Sequence, residues 1–349
     1  MLKHDSKLNP KIFDKNVELG SVRQGFGLGI VRAGEIDKNV VALCADLTES
    51  LQLDKFKAKF PNRFIEVGVA EQNLVTIASG MARAGKIPFI GSYAVFSPGR
   101  NWEQIRTTVC YNNLPVKIIG SHAGVTVGPD GGSHQALEDI ALMRVLPRMV
   151  VISPCDALEA YKATIAAAKT ADPTYIRLAR DKTPIISTES TPFDIGKAQV
   201  VYESDITSNI HNTRKSSLEM NGPKHKFDVG IIATGPSVYR ALMVARKLDR
   251  ELKRVKVLNV STIKPLDEHA VLSIAHDSRS LVTVEDHQIS GGLGSVIAEF
   301  LSHNFPTHIE YIGIRDQFGQ SGTPEELVEH YRIGENDIYD AAHRVMLRK

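Results

Sequence analysis

No apolar run in this chain approaches the length needed to cross a bilayer, and the opening residues Met1-Leu2-Lys3-His4-Asp5 form no signal-peptide core. Both absences point to a protein expected in the cytoplasm. Cysteine is scarce: Cys44, Cys110 and Cys155 stand far apart, form no Cys-x-x-Cys pair and lie beside apolar runs. Buried thiols in a reducing compartment are therefore expected, rather than a disulfide or a metal site. A charge excess is missing too. The formal net charge is +2, with acids and bases interspersed, so nothing suggests a nucleic-acid surface. No Gly-x-x-x-x-Gly-Lys-Ser/Thr occurs, which excludes a nucleoside-triphosphate phosphate loop.

What is present is a chain of 349 residues, 42% hydrophobic and 23% charged, too long for one ordinary core and suited to two α/β domains. Near-continuous apolar strands are expected at 40–45, 64–69, 88–96, 116–121, 149–153 and 174–178, with helical patterns between them. The Ala-rich run 158–168 is the clearest of those helices. This alternation predicts a mainly parallel sheet covered on both faces over 16–181. From 182 to 227 the pattern gives way to Thr, Ser, Pro, Asn and Lys, as expected of a linker with a mobile polar insertion around 204–226. Alternation resumes over 228–349 with strands at 229–233, 255–260, 281–285 and 309–314 and helices at 237–252 and 293–301. Two closing helices follow at 324–331 and 336–347, the first with Thr323 and Glu326 at capping-box spacing. A second, smaller α/β domain is the expectation.

Two glycine clusters invite a nucleotide reading. Gly25-x-Gly27-x-Gly29 lies inside a helical pattern, which is the wrong place for a dinucleotide loop. Gly291-Gly292-Leu293-Gly294 does join a strand to a helix, but without an acidic ribose partner at the expected distance it reads as a tight, closely packed turn.

The stretch from Arg63 to Asn73 runs as a short apolar strand, breaks at Gly68 and delivers Glu71 to the start of a helix. A carboxylate there complements the unpaired N–H groups of the first turn and also suits proton exchange with a bound heterocycle. The loop His122-Ala123-Gly124-Val125-Thr126-Val127-Gly128-Pro129-Asp130-Gly131-Gly132-Ser133-His134-Gln135 follows the strand ending at Ser121. Such loops at the carboxyl ends of parallel strands line ligand crevices, and this one carries two imidazoles and a carboxylate among four glycines. A zinc site lacks a third nearby ligand. Tyr93 and Phe96 end another strand and could stack on a ring.

Taken in order, Gly-Val-Ala-Glu71-Gln72-Asn73, Tyr93-Ala94-Val95-Phe96, Ser121-His122-Ala123-Gly124 and Gly128-Pro129-Asp130-Gly131-Gly132-Ser133-His134-Gln135 resemble the pyrimidine-binding half of a transketolase. The region after the linker is similar to the transketolase C-terminal domain. The resemblance implies thiamine diphosphate as cofactor, with Glu71 at the position of the glutamate that hydrogen-bonds N1′ of the aminopyrimidine, Tyr93 and Phe96 beside that ring and Asp46 in the cofactor site. It implies sugar-phosphate contacts at Arg23, Ser50, His122 and Arg180, recognition of a substrate hydroxyl by Asp130, and His134 near the reacting carbonyl as a proton donor. Three positions depart from the family pattern. Pro129 and Ala123 replace acids, and Gly99 stands where a third aromatic is common.

The family binds the cofactor's diphosphate through Mg²⁺ held by Gly-Asp-Gly and a later Asn, and this chain has no Gly-Asp-Gly. The resemblance therefore implies the C-terminal subunit of a split transketolase, completed by a diphosphate-binding partner subunit, with two copies of each chain expected. The expected reaction is transfer of a two-carbon ketol unit between phosphosugars. A 2-oxo-acid dehydrogenase β subunit, a deoxyxylulose-phosphate synthase and a regulatory partner of the same fold are the alternatives.

Overall fold

The computed structural model describes residues 1–205 and 225–348. The polar insertion expected around 204–226 thus falls almost wholly outside the described residues. Seven strands form the first sheet: β2 (Val40–Cys44), β3 (Phe64–Glu66), β4 (Ile87–Tyr93), β5 (Lys117–Ser121), β6 (Val150–Ile152), β7 (Thr174–Arg177) and β12 (Thr262–Lys264). Their order is β12-β6-β7-β5-β4-β2-β3, and every pair but β12 with β6 is parallel. Every residue of β2 and β5 is buried, because helices cover both faces.

The helix Val22–Ile36 lies along the helix Ala157–Lys169 on one of those faces, and the first glycine cluster makes that approach possible. A Cβ at Gly25 would sit 1.9 Å from the carbonyl oxygen of Ala157, and one at Gly29 2.8 Å from Cβ of Thr164. The cluster serves helix packing.

The second sheet has the order β14-β13-β10-β11-β9, from β9 (Gln199–Glu203), β10 (Val229–Ala233), β11 (Val255–Asn259), β13 (Ser280–Gln288) and β14 (His308–Ile314). Only the β11–β9 pair is antiparallel. The stretch read as linker is more structured than its composition suggests. Lys182–Pro184 is a strand, β8, paired with β1 (Leu19–Ser21), and Gln199–Glu203 is the edge strand of the second sheet. Polar side chains suit β8, and β9 keeps Val201 and Tyr202 buried between its polar ends, since an edge strand needs only one buried face. β12 is a three-residue excursion from the second unit that adds an antiparallel edge to the first. Thr323 and Glu326 form the expected capping box.

Parallel pairing brings the carboxyl ends of β2, β4, β5 and β7 to one edge of the first sheet. Residues 46–50, 93–101, 121–135 and 178–181 therefore meet there, although up to 135 positions separate Asp46 from Asp181 in the chain.

Candidate active site

Glu71 is the first residue of the helix Glu71–Arg83, reached through Gly68 at φ +70°. It is 5% exposed and faces a base that its own segment does not supply. Nη1 of Arg100 donates to both carboxylate oxygens, at 3.3 and 3.2 Å. The guanidinium of Arg100 lies over the Phe96 ring at 4.2 Å. Asn101 fixes the local backbone, with Nδ2 donating to the Glu71 carbonyl at 3.0 Å and to Ser97 Oγ at 3.1 Å.

Phe96 begins an aromatic and imidazole cluster. Its ring is nearly parallel to that of Tyr93, stacked 6.0 Å away at 16°. The His134 ring meets both edge-on, at 5.5 Å from Phe96 and 6.1 Å from Tyr93. Tyr93 lies 3.8 Å from the His122 ring, and its hydroxyl donates to Ser50 Oγ at 3.2 Å. From Ser50 the chain of contacts reaches the arginines. Arg23 Nη1 donates to the Ser50 carbonyl at 2.7 Å and Nη2 to the Arg180 carbonyl at 3.1 Å, while Arg180 Nη1 donates to the Val127 carbonyl at 2.5 Å. Nε of Arg23 is buried with no protein partner. These cations act on His122, which is 3% exposed at φ +55° with Nδ1 2.8 Å from Ser121 Oγ. Burial, reinforced by Arg23, Arg180 and His134, lowers its pKa to about 3, so the imidazole is neutral at physiological pH.

Eight of the ten residues singled out from the sequence are thus joined by contact: Arg23, Ser50, Glu71, Tyr93, Phe96, His122, His134 and Arg180. Asp46 and Asp130 are exposed and stand outside the chain of contacts. Asp46, at φ +60°, has its backbone N–H held by Glu66 Oε1 at 2.7 Å. Sequence reasoning missed Arg100. The available signal was the burial expected of Glu71 itself, because a buried acid calls for a basic partner. Two of the departures have a steric explanation. A Cβ at Gly99 would lie 1.9 Å from the Val95 carbonyl oxygen, and Ala123 is 1% exposed against Ala94 and Ala136, so neither place has room for a large side chain.

The donor set fits one end of the expected cofactor. A carboxylate beside two parallel aromatic rings suits a protonatable heterocycle, whereas among the described residues no group of three or more His, Cys, Asp or Glu side chains could hold a metal ion. Among the same residues no helix is long and apolar enough to cross a membrane, and the three thiols are buried and free.

Comparison with known proteins agrees over most of the chain. Residues 20–185 match the transketolase pyrimidine-binding domain and 220–338 the transketolase C-terminal domain. A chain of Methanocaldococcus jannaschii, provisionally named as a transketolase C-terminal section, is 39% identical over 93% of this chain and 95% of its own length. A 6-deoxy-6-sulfo-D-fructose transketolase subunit of Clostridium sp. is 37% identical over 90% of both chains. A solved structure described as a split-gene transketolase in an inactive beta4 tetramer superposes with a TM-score of 0.82 at 36% identity, over 94% of this chain and 99% of that one. Sequence and fold lead to the same conclusion: the chain belongs to the transketolase family and joins its pyrimidine-binding and C-terminal domains in one polypeptide.

Proposed function

We propose that this chain is the C-terminal half of a two-subunit, thiamine-diphosphate-dependent transketolase that moves a two-carbon ketol unit from a ketose phosphate to an aldose phosphate. The observation that carries the reading is the continuous run of contacts from Glu71 through Phe96 and Tyr93 to His122, Arg23 and Arg180. It supports the reading because a carboxylate with two aromatic rings, suited to a heterocycle, and two guanidinium groups, suited to an anion, lie along one edge of the first sheet.

The bound cofactor would supply the nucleophilic carbon and the electron sink for breaking and making the carbon–carbon bond. This chain's residues do the remaining work. Glu71 would share a proton with the pyrimidine nitrogen, and Phe96 and Tyr93 would hold the ring and exclude water, with Asp46 at the cofactor's margin. Arg23 and Arg180 take the sugar's terminal dianion through charge-assisted hydrogen bonds, Ser50 adding a hydroxyl. Neutral His122 hydrogen-bonds a substrate oxygen, Asp130 reads a hydroxyl, and His134 gives a proton to the acceptor's carbonyl oxygen as it becomes an alkoxide. Mg²⁺ and the diphosphate are assigned to a partner subunit, in a cytoplasmic assembly of two copies of each chain.

The test is to mix the chain with a diphosphate-binding partner, thiamine diphosphate and Mg²⁺ and to assay transfer from xylulose 5-phosphate to ribose 5-phosphate. Transfer is expected only when both chains are present. A sulfosugar donor belongs in the same assay, because guanidinium groups bind sulfonate as well as phosphate and one relative is named for such a substrate. Full activity of the chain alone as a monomer in ultracentrifugation would overturn the two-subunit reading. No transfer from any phosphorylated or sulfonated ketose would overturn the activity.

A further inference from the structure

The loop that carries His122, Asp130 and His134 belongs to the first unit, yet a carboxylate of the second unit holds its backbone. Asp286, on β13 and 5% exposed, accepts from the Val125 N–H through Oδ1 at 2.9 Å and from the Thr126 hydroxyl through Oδ2 at 3.0 Å. The fit is close. Gly124 sits at φ +87°, and a Cβ there would lie 2.2 Å from Oδ2 of Asp286. Asp286 is itself pinned to the first sheet. Its carbonyl accepts from Nη2 of Arg177 on β7 at 2.8 Å, and Nε of Arg177 donates to Asp139 Oδ2 at 2.9 Å. The far end of the loop is tied the same way, by Gln135 Nε2 donating to the carbonyls of Val125, Gly128 and Gln320 at 3.2, 3.2 and 2.9 Å.

A buried carboxylate is a costly way to fill space, since apolar groups of similar volume do so without desolvating a charge. Its advantage is direction. Two hydrogen bonds to one anion fix both the height and the rotation of a short backbone segment. We infer that Asp286 is a positioning residue of the second unit that sets the conformation of the 122–135 loop, and through it the placement of His122 and His134 against the sugar phosphate. The inference rests on the reading of that loop as the phosphosugar loop, and it gives the second unit a part in substrate recognition.

The experiment has two arms, applied to the wild type, Asp286→Ala, Asp286→Asn and Thr126→Val. Hydrogen exchange is measured on the chain without partner or cofactor. Asp286→Ala is expected to speed exchange in the 123–128 segment about tenfold or more, while β10 and β11 keep their wild-type protection. Thr126→Val should do so less, and Asp286→Asn, which keeps an acceptor for Val125, least. In the reconstituted complex, Asp286→Ala should raise KM for the phosphosugar about tenfold and, because His134 moves with the loop, lower kcat about tenfold as well, and Asp286→Asn should restore most of both losses. Wild-type exchange in 123–128 of Asp286→Ala, or a change confined to thermal stability with KM unmoved, overturns the inference. Should Asp286→Ala not fold, the other two variants decide it by the same criteria. A wild-type complex without transketolase activity would refute the proposed function, whereas the exchange arm would still test the positioning of the loop.

Discussion

Two glycine-rich turns leave parallel strands of this molecule, one after β5 and one after β13, and they have opposite fates. After β13 the donors of the helix Leu293–Asn304 are taken from inside the protein. Glu285 Oε2 accepts from the Leu293 N–H at 2.7 Å and Oε1 from that of Gly294 at 2.8 Å, and a Cβ at Gly292 would sit 2.0 Å from Oε2. After β5 the backbone is held by Asp286, and the turn keeps two imidazoles beside an aromatic pair and two arginines. Consecutive residues of β13 supply both carboxylates, because side chains alternate between the faces of a strand. A glycine after a strand permits close approach; what approaches decides whether the turn becomes a site.

The contrast can be broken or sharpened by experiment. Its largest expected effect is on the site side. Glu71→Ala should lower turnover of the reconstituted complex about a hundredfold or more, the range of a lost proton-transfer partner. An unchanged rate would favour a regulatory subunit with the same fold. On the packed side, Glu285→Ala orphans two buried N–H groups and should cost about 2–3 kcal/mol in urea unfolding, with turnover per folded molecule within about twofold. Loss of turnover at undiminished stability would erase the distinction between the turns.

Taken over a single pH unit the smallest effects are in pH dependence, up to about 1.4 kcal/mol for each proton, and the two turns should differ in sign. Folding holds His122 at about 3 against an ordinary value of 6.5. The unfolded chain therefore takes up a proton that the folded chain refuses, and stability falls as pH drops below 6.5 towards 3. Burial instead raises Glu285 from 4.5 to about 8, against the pull of its two N–H donors. The folded chain retains that proton, and stability falls as pH rises from 4.5 through 8. His122→Asn should flatten the acid limb of a stability–pH curve and Glu285→Gln the alkaline limb. His287, which burial lowers to about 4, leaves part of the acid limb in both variants.

Much of the architecture was legible in the chain. β2, β5, β10 and β11 are buried along their whole length; β2 and β10 read as short apolar runs, and β5 and β11 as apolar runs that each include a buried lysine. β8, β9 and β12 were not legible, because edge strands of three to five residues are too short to carry a periodic signal, and β9 (Gln-Val-Val-Tyr-Glu) shows only three apolar residues in a row. Within the site, Glu71, His122 and His134 could be singled out from residue type and position. Arg23 and Arg180 looked like ordinary surface charges, and only the family resemblance set them apart.

The sequence by itself determined the two-unit α/β plan, the glycines that let Val22–Ile36 lie against Ala157–Lys169, and the motif order that marks the family. It could do so because burial, backbone freedom and motif spacing are properties of neighbouring residues. Only the tertiary structure decided that Arg100 faces Glu71 across 29 positions, that Asp286 reaches Val125 across 161, and that β12 joins the sheet of the other unit. These pairings depend on how the packed elements bring distant side chains within about 3 Å of one another, and no local pattern in the chain encodes that distance.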